Sequence, residues 1–435
     1  MHHQPYSDRR RKVLARLGDG VAVIPTAPER LRNRDAHYPY RFDSYFWYLS
    51  GFPEPEAVIV LVGGKEAKAL LFCRERDQER EVWDGFRYGP QTAAEAFGFC
   101  EAHPIASLEA KLPELIANRS VLWHSLGHDP MWDGRIAAAL NRIREQGRSG
   151  IRAPTEIRDL HSLLDDMRLT KDAHEIECMR RAADIASAGH ARAMRACRPG
   201  MAEYELEAEL SYEFRRRGAD GHAYTPIVAG GVNACILHYV ENNKLLAAHS
   251  LVLIDAGCEL AGYASDITRT FPVGGRFSTL QREVYEIVLA AQQAAIDAVR
   301  PGASFMDYHQ AALRVLVQGL IDLEVIAGSV DGAVESEAYK PWYMHRTGHW
   351  LGLDVHDVGD YRNGPETGDW TRLAPGMTLT VEPGLYFAPG TKIPTHLHGI
   401  GVRIEDDVLV TADGCTVYTS APKAVAEIEE VMRHD

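Results

Sequence analysis

The sequence predicts an α+β protein of two domains. Two observations support this prediction. Short apolar runs alternate with amphipathic stretches in the first third of the chain, and a unit of helix, Arg-Pro-Gly and helix occurs twice in the remainder. The length of 435 residues allows two or three domains of ordinary size.

The first domain is predicted to be α/β. Its strand-like apolar runs lie at 21–24, 57–62 and 69–72. A helical pattern follows at 108–116, and a polar stretch rich in Arg and Gly lies at 144–150. We therefore place the first domain at 1–165 and the second at 166–435.

The second domain contains the repeated helical unit. A long amphipathic helix that Thr170 or Asp172 can cap stops at the tripeptide 198–200, and a second helix follows. Another helix pair is interrupted by Arg-Pro-Gly at 300–302. The repetition predicts a duplicated half-domain, with coincidence as the alternative, and a site between the two halves.

Composition excludes several classes of function. A formal net charge of -14 and a pI near 5.8 argue against a nucleic-acid partner, because phosphate binding needs concentrated Lys and Arg. No apolar run approaches the roughly 20 residues that cross a bilayer, and the start lacks a signal-peptide pattern. The seven scattered cysteines indicate neither a disulfide framework nor a zinc cluster. We expect a cytoplasmic protein, and small peptides remain compatible with its charge.

Acidic residues lie in or at the ends of four predicted strands, and histidines cluster in one glycine-punctuated segment. The acids are Asp255, Asp266, Glu382 and Glu405, and the histidines are His345, His349 and His356. An unpaired buried carboxylate costs several kcal/mol, which a shared cation removes. Carboxylates with one imidazole favour Mn²⁺, Co²⁺ or Zn²⁺, and four carboxylates indicate two ions about 3.5 to 4 Å apart that hold a hydroxide. An ordinary scatter of charged strand ends is the alternative.

Three motifs resemble the pita-bread metallopeptidases, most closely the bacterial aminopeptidase P branch. They lie at 253–259, 349–357 and 381–386, and the stretches 38–41 and 46–52 resemble the creatinase-like N-terminal domain of that family. The resemblance implies a pseudo-symmetric, curved antiparallel sheet flanked by helices. It also implies two divalent ions, Mn²⁺ first among them, on the ligand set Asp255, Asp266, His349, Glu382 and Glu405.

The resemblance further implies a metalloaminopeptidase, a hydrolase that removes the residue in front of an N-terminal proline. Its substrates would be peptides with proline at the second position, and the chain would form a homodimer or homotetramer. Two alternatives stay open: a prolidase, which accepts only Xaa-Pro dipeptides, and a non-catalytic peptide-binding relative.

The remaining candidates are assigned roles around the metal ligands. Glu382 would also shuttle a proton, and His238 and His356 would donate hydrogen bonds to the peptide carbonyl, although His238 could instead be a core residue. Arg403 would pair with Glu405 or shape the mouth of the site. Three further residues would support the site or line a proline pocket: His345, Tyr386 and Trp83, the last only from a neighbouring subunit. The pair His124 and His128 is interpreted as a surface loop.

Overall fold

The computed structural model describes residues 3–364, 368–390 and 393–433. The chain divides into two compact units, Met1–Met167 and Arg168–Asp435. None of the helices in the described ranges combines the length and apolar character that a bilayer-spanning helix needs.

The first unit contains a mixed sheet with helices. Its strands are β1 (Val21–Pro25), β2 (Leu31–Asn33), β3 (Ala36–His37), β4 (Val58–Val62), β5 (Lys68–Cys73), β6 (Glu101–Pro104), β7 (Val121–Trp123) and β8 (Glu156–Arg158). Its helices are α1 (Gln4–Arg16), α2 (Ser44–Ser50), α3 (Gln78–Asp84), α4 (Gly89–Phe97), α5 (Leu108–Ile116), α6 (Pro130–Glu145) and α7 (Leu160–Leu169), the last of which crosses the boundary between the units. The sheet order is β6-β5-β4-β1-β7-β8.

The strands and the helix predicted for this unit are confirmed. The three apolar runs form β1, β4 and β5, which pair antiparallel, and the helical pattern forms α5. Every residue of β4 is buried, as expected for a central strand with an uninterrupted apolar run.

The second unit combines long helices with short antiparallel strands. Its helices are α8 (Ala173–Ala196), α9 (Glu203–Arg216), α10 (Thr279–Ala298), α11 (Phe305–Asp322), α12 (Val330–Glu335) and α13 (Val425–Val431). Its strands are β9 (Gly221–His222), β10 (Ile227–Gly230), β11 (Leu251–Asp255), β12 (Cys258–Leu260), β13 (Tyr263–Ala264), β14 (Thr268–Pro272), β15 (Thr378–Val381), β16 (Gly384–Phe387), β17 (Ile400–Arg403), β18 (Asp406–Val410) and β19 (Cys415–Val417). The sheets have the orders β10-β11-β14, β13-β12-β9, β15-β18-β19 and β16-β17.

Both predicted helix pairs are present and break in the same way. Asp172 caps α8 through a capping box, which selects it over Thr170 as the cap. Gly200 and Gly302 follow the first helix of each pair with φ of 85° and 81°. Only glycine adopts this left-handed conformation without strain, so the Arg-Pro-Gly tripeptides end both helices for the same steric reason.

The predicted strand at 262–271 is wrong in one respect, because it is interrupted. Its first part pairs as β13 with β12, and its second part pairs as β14 with β11. Asp266 lies in the interruption. The chain approaches Gly257 so closely there that a Cβ atom on Gly257 would lie 1.7 Å from the Ser265 carbonyl oxygen.

Candidate metal centre

A cavity of about 520 Å³ in the second unit contains all five predicted ligands. Asp255 is the last residue of β11, Glu382 follows β15, and Glu405 lies between β17 and β18. Asp266 precedes β14, whose pairing with β11 brings it to the same end of the sheet. The other lining residues are Tyr224, Thr225, Ile227, Leu237, His238, Val240, His345, Arg346, Gly348, His349, Val355, His356 and Arg403.

The distances are those of a compact ligand cluster. One ligand atom each from Asp266, His349 and Glu405 lies within 4.8 Å of the others. The His349 Nε2 atom is 3.4 Å from Asp266 Oδ2 and 3.7 Å from Glu382 Oε1. The structure therefore brings the predicted ligands together.

Tyr224 connects the remaining ligand to this cluster. Its hydroxyl lies 2.6 Å from Asp255 Oδ1 and 2.5 Å from Asp266 Oδ1. A phenol carries one proton and satisfies only one carboxylate at a time. When Tyr224 donates to one of them, the other depends on a different partner, which for Asp255 is Arg403 and for Asp266 is His349 or a bound cation.

The charges of the cluster also favour a cation. Burial, followed by repulsion from Asp266 and the other acids, raises the pKa of Glu405 well above its usual range. Burial raises the pKa of Glu382 to about 7, against the opposing effects of His349 and Arg403. Burial alone would lower the pKa of His349, but Asp266 and Glu382 outweigh it and raise that pKa to about 9. Divalent cations would relieve this crowding of negative charge.

The orientation of His349 fits a metal ligand. Its Nδ1–H donates to the Trp350 carbonyl at 2.9 Å, so Nε2 faces the carboxylates and offers its lone pair to a cation that displaces the Nε2 proton. Ligating histidines are commonly oriented by such a hydrogen bond. Four carboxylates and one imidazole form an oxygen-rich set suited to Mn²⁺, Co²⁺ or Zn²⁺.

Arg403 connects the acids to the rest of the site. Of its two predicted roles, the direct pair with Glu405 is wrong, because the Thr268 hydroxyl lies between the two side chains. Its Nη2 donates to Asp255 Oδ2 at 2.6 Å. Its Nε donates to the Thr268 hydroxyl, which in turn donates to Glu405 at 2.7 Å. Arg403 is 4% exposed, so a buried cation offsets part of the acidic charge.

Family comparisons agree with this geometry. A model described as metallopeptidase family M24 matches residues 177–412, and one described as the aminopeptidase P N-terminal domain matches residues 6–123. The Xaa-Pro aminopeptidase of Escherichia coli (strain K12) is 43% identical over 434 residues, which cover 99% of this chain and 97% of that protein. The chain belongs to the M24 metallopeptidases.

Solved structures give the same result for this M24 metallopeptidase. Aminopeptidase PepP of Pseudomonas aeruginosa matches with a TM-score of 0.97 at 50% identity, over 99% of this chain and 98% of that one. Zn-substituted E. coli aminopeptidase P in complex with product matches with a TM-score of 0.96 at 42% identity, covering 99% and 98% of the two chains. The expected fold, a creatinase-like domain followed by a pita-bread domain, is confirmed.

Two further histidines of this M24 metallopeptidase line the metal cavity. The ring of His356 lies 4.3 Å from that of His349, edge to face, and burial followed by His349 lowers its pKa. His238 is exposed at the cavity, whereas the adjacent Tyr239 is buried. The exposure of His238 at the cavity excludes the alternative interpretation that it is a core residue.

His345 and Tyr386 form a hydrogen-bonded wall beside the acids. His345 Nδ1–H donates to the Arg346 carbonyl, which leaves Nε2 to accept from the Tyr386 hydroxyl at 2.7 Å. The same hydroxyl accepts from Arg403 at 3.2 Å. Burial lowers the pKa of His345 to about 3, so this imidazole stays neutral.

The other sequence candidates lie in the first unit. Trp83 is on α3 and is 84% exposed. His128 is exposed, but the interpretation of His124 as a surface residue is wrong, because it is buried and contacts Asp133 at 3.1 Å. Tyr224 is not among the predicted site residues, because it lies in a segment without apolar periodicity and carries no local signal of its role.

Proposed function

We propose that this M24 metallopeptidase is an Xaa-Pro aminopeptidase, which hydrolyses the bond between an N-terminal residue and a following proline. The observation that supports it most is the convergence of four acids and His349 in one cavity of a chain that matches an Xaa-Pro aminopeptidase along nearly its whole length. Residues 166–435 would form the catalytic domain and 1–165 the creatinase-like domain.

We assign two divalent cations to Asp255, Asp266, His349, Glu382 and Glu405, with Mn²⁺ preferred and Co²⁺ or Zn²⁺ as substitutes. Four carboxylates provide enough oxygen atoms for two ions, and the chain places no cysteine in the lining of the cavity among its described residues. When bound, the cations lower the pKa of water and polarise the scissile carbonyl.

The side chains of the protein supply proton transfer and orientation. Glu382, whose carboxylate faces the cavity beside His349, would accept a proton from the attacking water and pass it to the proline nitrogen. His238 and His356 would donate hydrogen bonds to the substrate carbonyl and its tetrahedral intermediate. Asp255, held by Arg403, would help to receive the free α-amine.

Proline recognition would use a wall near His345 and Tyr386. Proline has a rigid ring and no N–H, so a short pocket with an apolar face can favour it. Trp83 would complete this pocket from a neighbouring subunit of a homodimer or homotetramer, and its exposure supports that role. We also place the enzyme in the cytoplasm, because all seven cysteines are free.

A cleavage assay tests the proposal against prolidase. The metal-loaded protein should release the first residue from a longer Xaa-Pro-Xaa peptide as well as from Gly-Pro. Cleavage confined to the dipeptide would instead identify a prolidase. Absence of cleavage together with failure to bind metal would indicate the non-catalytic relative.

Glu382→Gln tests the proton-transfer role. The amide cannot accept a proton, so we expect the turnover number to fall by at least about 100-fold. Metal content should be measured in the same preparation by elemental analysis. Normal turnover with metal still bound would remove Glu382 from this role.

A further inference from the structure

A second cavity adjoins the metal cavity, and Arg346 lines both. This outer cavity has a volume of about 470 Å³. Its other lining residues are Asp360, Tyr361, Arg362, Gly364 and Trp370. Because Arg346 is exposed, a ligand that leaves the metal cavity towards the outer cavity passes its guanidinium group.

The guanidinium group of Arg346 is oriented by an aromatic ring. Its Cζ atom lies 4.8 Å from the centroid of Trp370, and Arg362 lies against the same ring at 4.2 Å. Stacking holds the planar group but leaves its N–H edge available for a bidentate contact. Across the described ranges, no carboxylate forms an ion pair with Arg346, whereas Arg403 deeper in the site is paired with Asp255.

The backbone beside Arg346 is fixed. The buried hydroxyl of Thr347 is hydrogen-bonded to Tyr343 at 2.6 Å and to His309 at 2.9 Å. On the other side, His345 is held by the Arg346 carbonyl and by Tyr386. The guanidinium group is therefore carried by a rigid segment.

We propose that Arg346, stacked on Trp370, binds a carboxylate of the peptide on the C-terminal side of the proline. This inference rests on the proposed function. An aminopeptidase encloses the amino end of its substrate at the metal ligands, so the remaining peptide extends towards the open side, where Arg346 lies. The anion there is either the terminal carboxylate of a short peptide or an acidic side chain.

Two substrate pairs separate these sources. Ala-Pro-Ala with a free carboxylate is compared with its amide, and Ala-Pro-Glu-amide is compared with Ala-Pro-Gln-amide. We expect the wild-type enzyme to show a roughly two- to fivefold higher kcat/KM for the charged member of at least one pair, mainly through KM. Because the contact is exposed, the preference should shrink as NaCl is raised.

Arg346→Gln should abolish this preference and leave the neutral substrates nearly unaffected. Arg300→Gln removes the same charge at an exposed position beyond α10 and should retain the preference. Equal rates for charged and neutral peptides in the wild type, or an equal loss for all substrates in Arg346→Gln, would overturn the inference. No cleavage of any peptide by the wild type would instead overturn the proposed function.

A different observation concerns Glu203, which is the first residue of α9 and fully buried. Its two carboxylate oxygens accept hydrogen bonds from Gly230 N (2.8 Å), Asn233 Nδ2 (2.9 Å), the Tyr239 hydroxyl (2.8 Å) and Lys244 N (2.9 Å). All four donors lie in the segment 230–244, which also carries His238. One side chain thus holds this segment at four points.

The contact nearest to His238 is that of Tyr239. Successive side chains alternate here, so His238 is exposed to the cavity while Tyr239 points inward to Glu203. Burial, followed by the hydrogen bond to Glu203, raises the pKa of Tyr239 to about 12, so its hydroxyl remains a donor at neutral pH.

We infer that Glu203 is a positioning residue for His238. This inference rests on the proposed role of His238. In Glu203→Gln, an amide NH₂ replaces one of the two carboxylate oxygens. Two of the four hydrogen bonds are lost, and the NH₂ group then faces two groups that are themselves donors. We expect kcat/KM to fall by roughly tenfold to 100-fold, mainly through kcat.

A double-mutant cycle with His238→Ala distinguishes positioning from general disruption. If Glu203 acts through His238, Glu203→Gln adds little to the loss already caused by His238→Ala. Glu209→Gln, on the same helix but paired with Arg192 outside the segment, should retain wild-type activity. Tyr239→Phe removes only the hydrogen bond between Tyr239 and Glu203, the contact nearest to His238. If Glu203→Gln fails to fold, this variant serves for the same test. The inference would be overturned if folded Tyr239→Phe and Glu203→Gln both kept the wild-type kcat. It would also be overturned if Glu203→Gln lowered kcat/KM by the same factor in the presence and in the absence of His238.

Discussion

Arg403 shows how one residue governs the charge of the site. It interacts electrostatically with Asp255, Glu382 and Glu405, and it donates directly to Asp255 and, through Thr268, indirectly to Glu405. Removing one partner of a buried ion pair leaves the other uncompensated, and this typically costs about 3 to 5 kcal/mol. A bound divalent cation would compensate the same carboxylate.

Arg403→Gln is therefore expected to destabilise the metal-free protein more than the metal-loaded one. We expect a loss of about 3 kcal/mol in the free energy of unfolding with EDTA present, and a smaller loss with saturating Mn²⁺. Urea unfolding of both forms measures the two values. The exposed control Arg300→Gln should lose little stability in either form. An equal loss of stability for Arg403→Gln in both forms would contradict the idea that Arg403 and the cation compensate the same carboxylate.

Among the elements, the segment 343–357 lacks regular structure but carries three histidines of the site. It is held along β15 by backbone hydrogen bonds, including Thr380 N to the His349 carbonyl and Glu382 N to the Thr347 carbonyl. Gly348 makes this approach possible, because a Cβ atom there would lie 2.0 Å from the Thr380 carbonyl oxygen.

Gly348→Ala should push His349 away from Asp266. We expect metal affinity to fall by at least about tenfold, since one ligand is displaced, and stability to fall by more than about 2 kcal/mol. Calorimetric Mn²⁺ titration and thermal unfolding measure these effects. Gly221→Ala meets no atom within 4 Å and should change stability by less than about 0.5 kcal/mol. Wild-type metal affinity in Gly348→Ala would contradict this account of the segment.

The sequence predicts the elements better than the contacts between them. Local periodicity identified β4 and α5, and apolar runs that end in acids pointed to the ligands. The contact between Arg403 and Asp255 joins residues 148 positions apart, so no local pattern contains it. The break at Asp266 has the same origin, because it depends on two different strand pairings.

At the scale of the whole molecule, the predicted ligands all belong to the second unit, and their four carboxylates are part of the chain's net charge of -14. The metal-free fold must hold these carboxylates together. Burial raises the pKa of Glu382 from 4.5 to about 7, so the folded, metal-free protein binds more protons than the unfolded chain between these values. The stability contributed by this protonation is present at low pH and is lost as the pH rises through about 7.

Metal binding should reverse this pH dependence, because the ligands bind the cation as carboxylates. Each proton that the cation displaces makes the apparent metal affinity rise about tenfold per pH unit. At 100 times its dissociation constant, Mn²⁺ adds about 2.7 kcal/mol. At a fixed Mn²⁺ concentration, the difference in Tm between Mn²⁺ and EDTA samples should therefore grow from pH 5.5 to 7.5, as measured by calorimetry. Glu382→Gln removes one titrating group, so the difference in Tm should increase less with pH in this variant. A difference that stays constant over this range would show that the acids are already ionised without metal, and the charge-crowding account of the site would then be wrong.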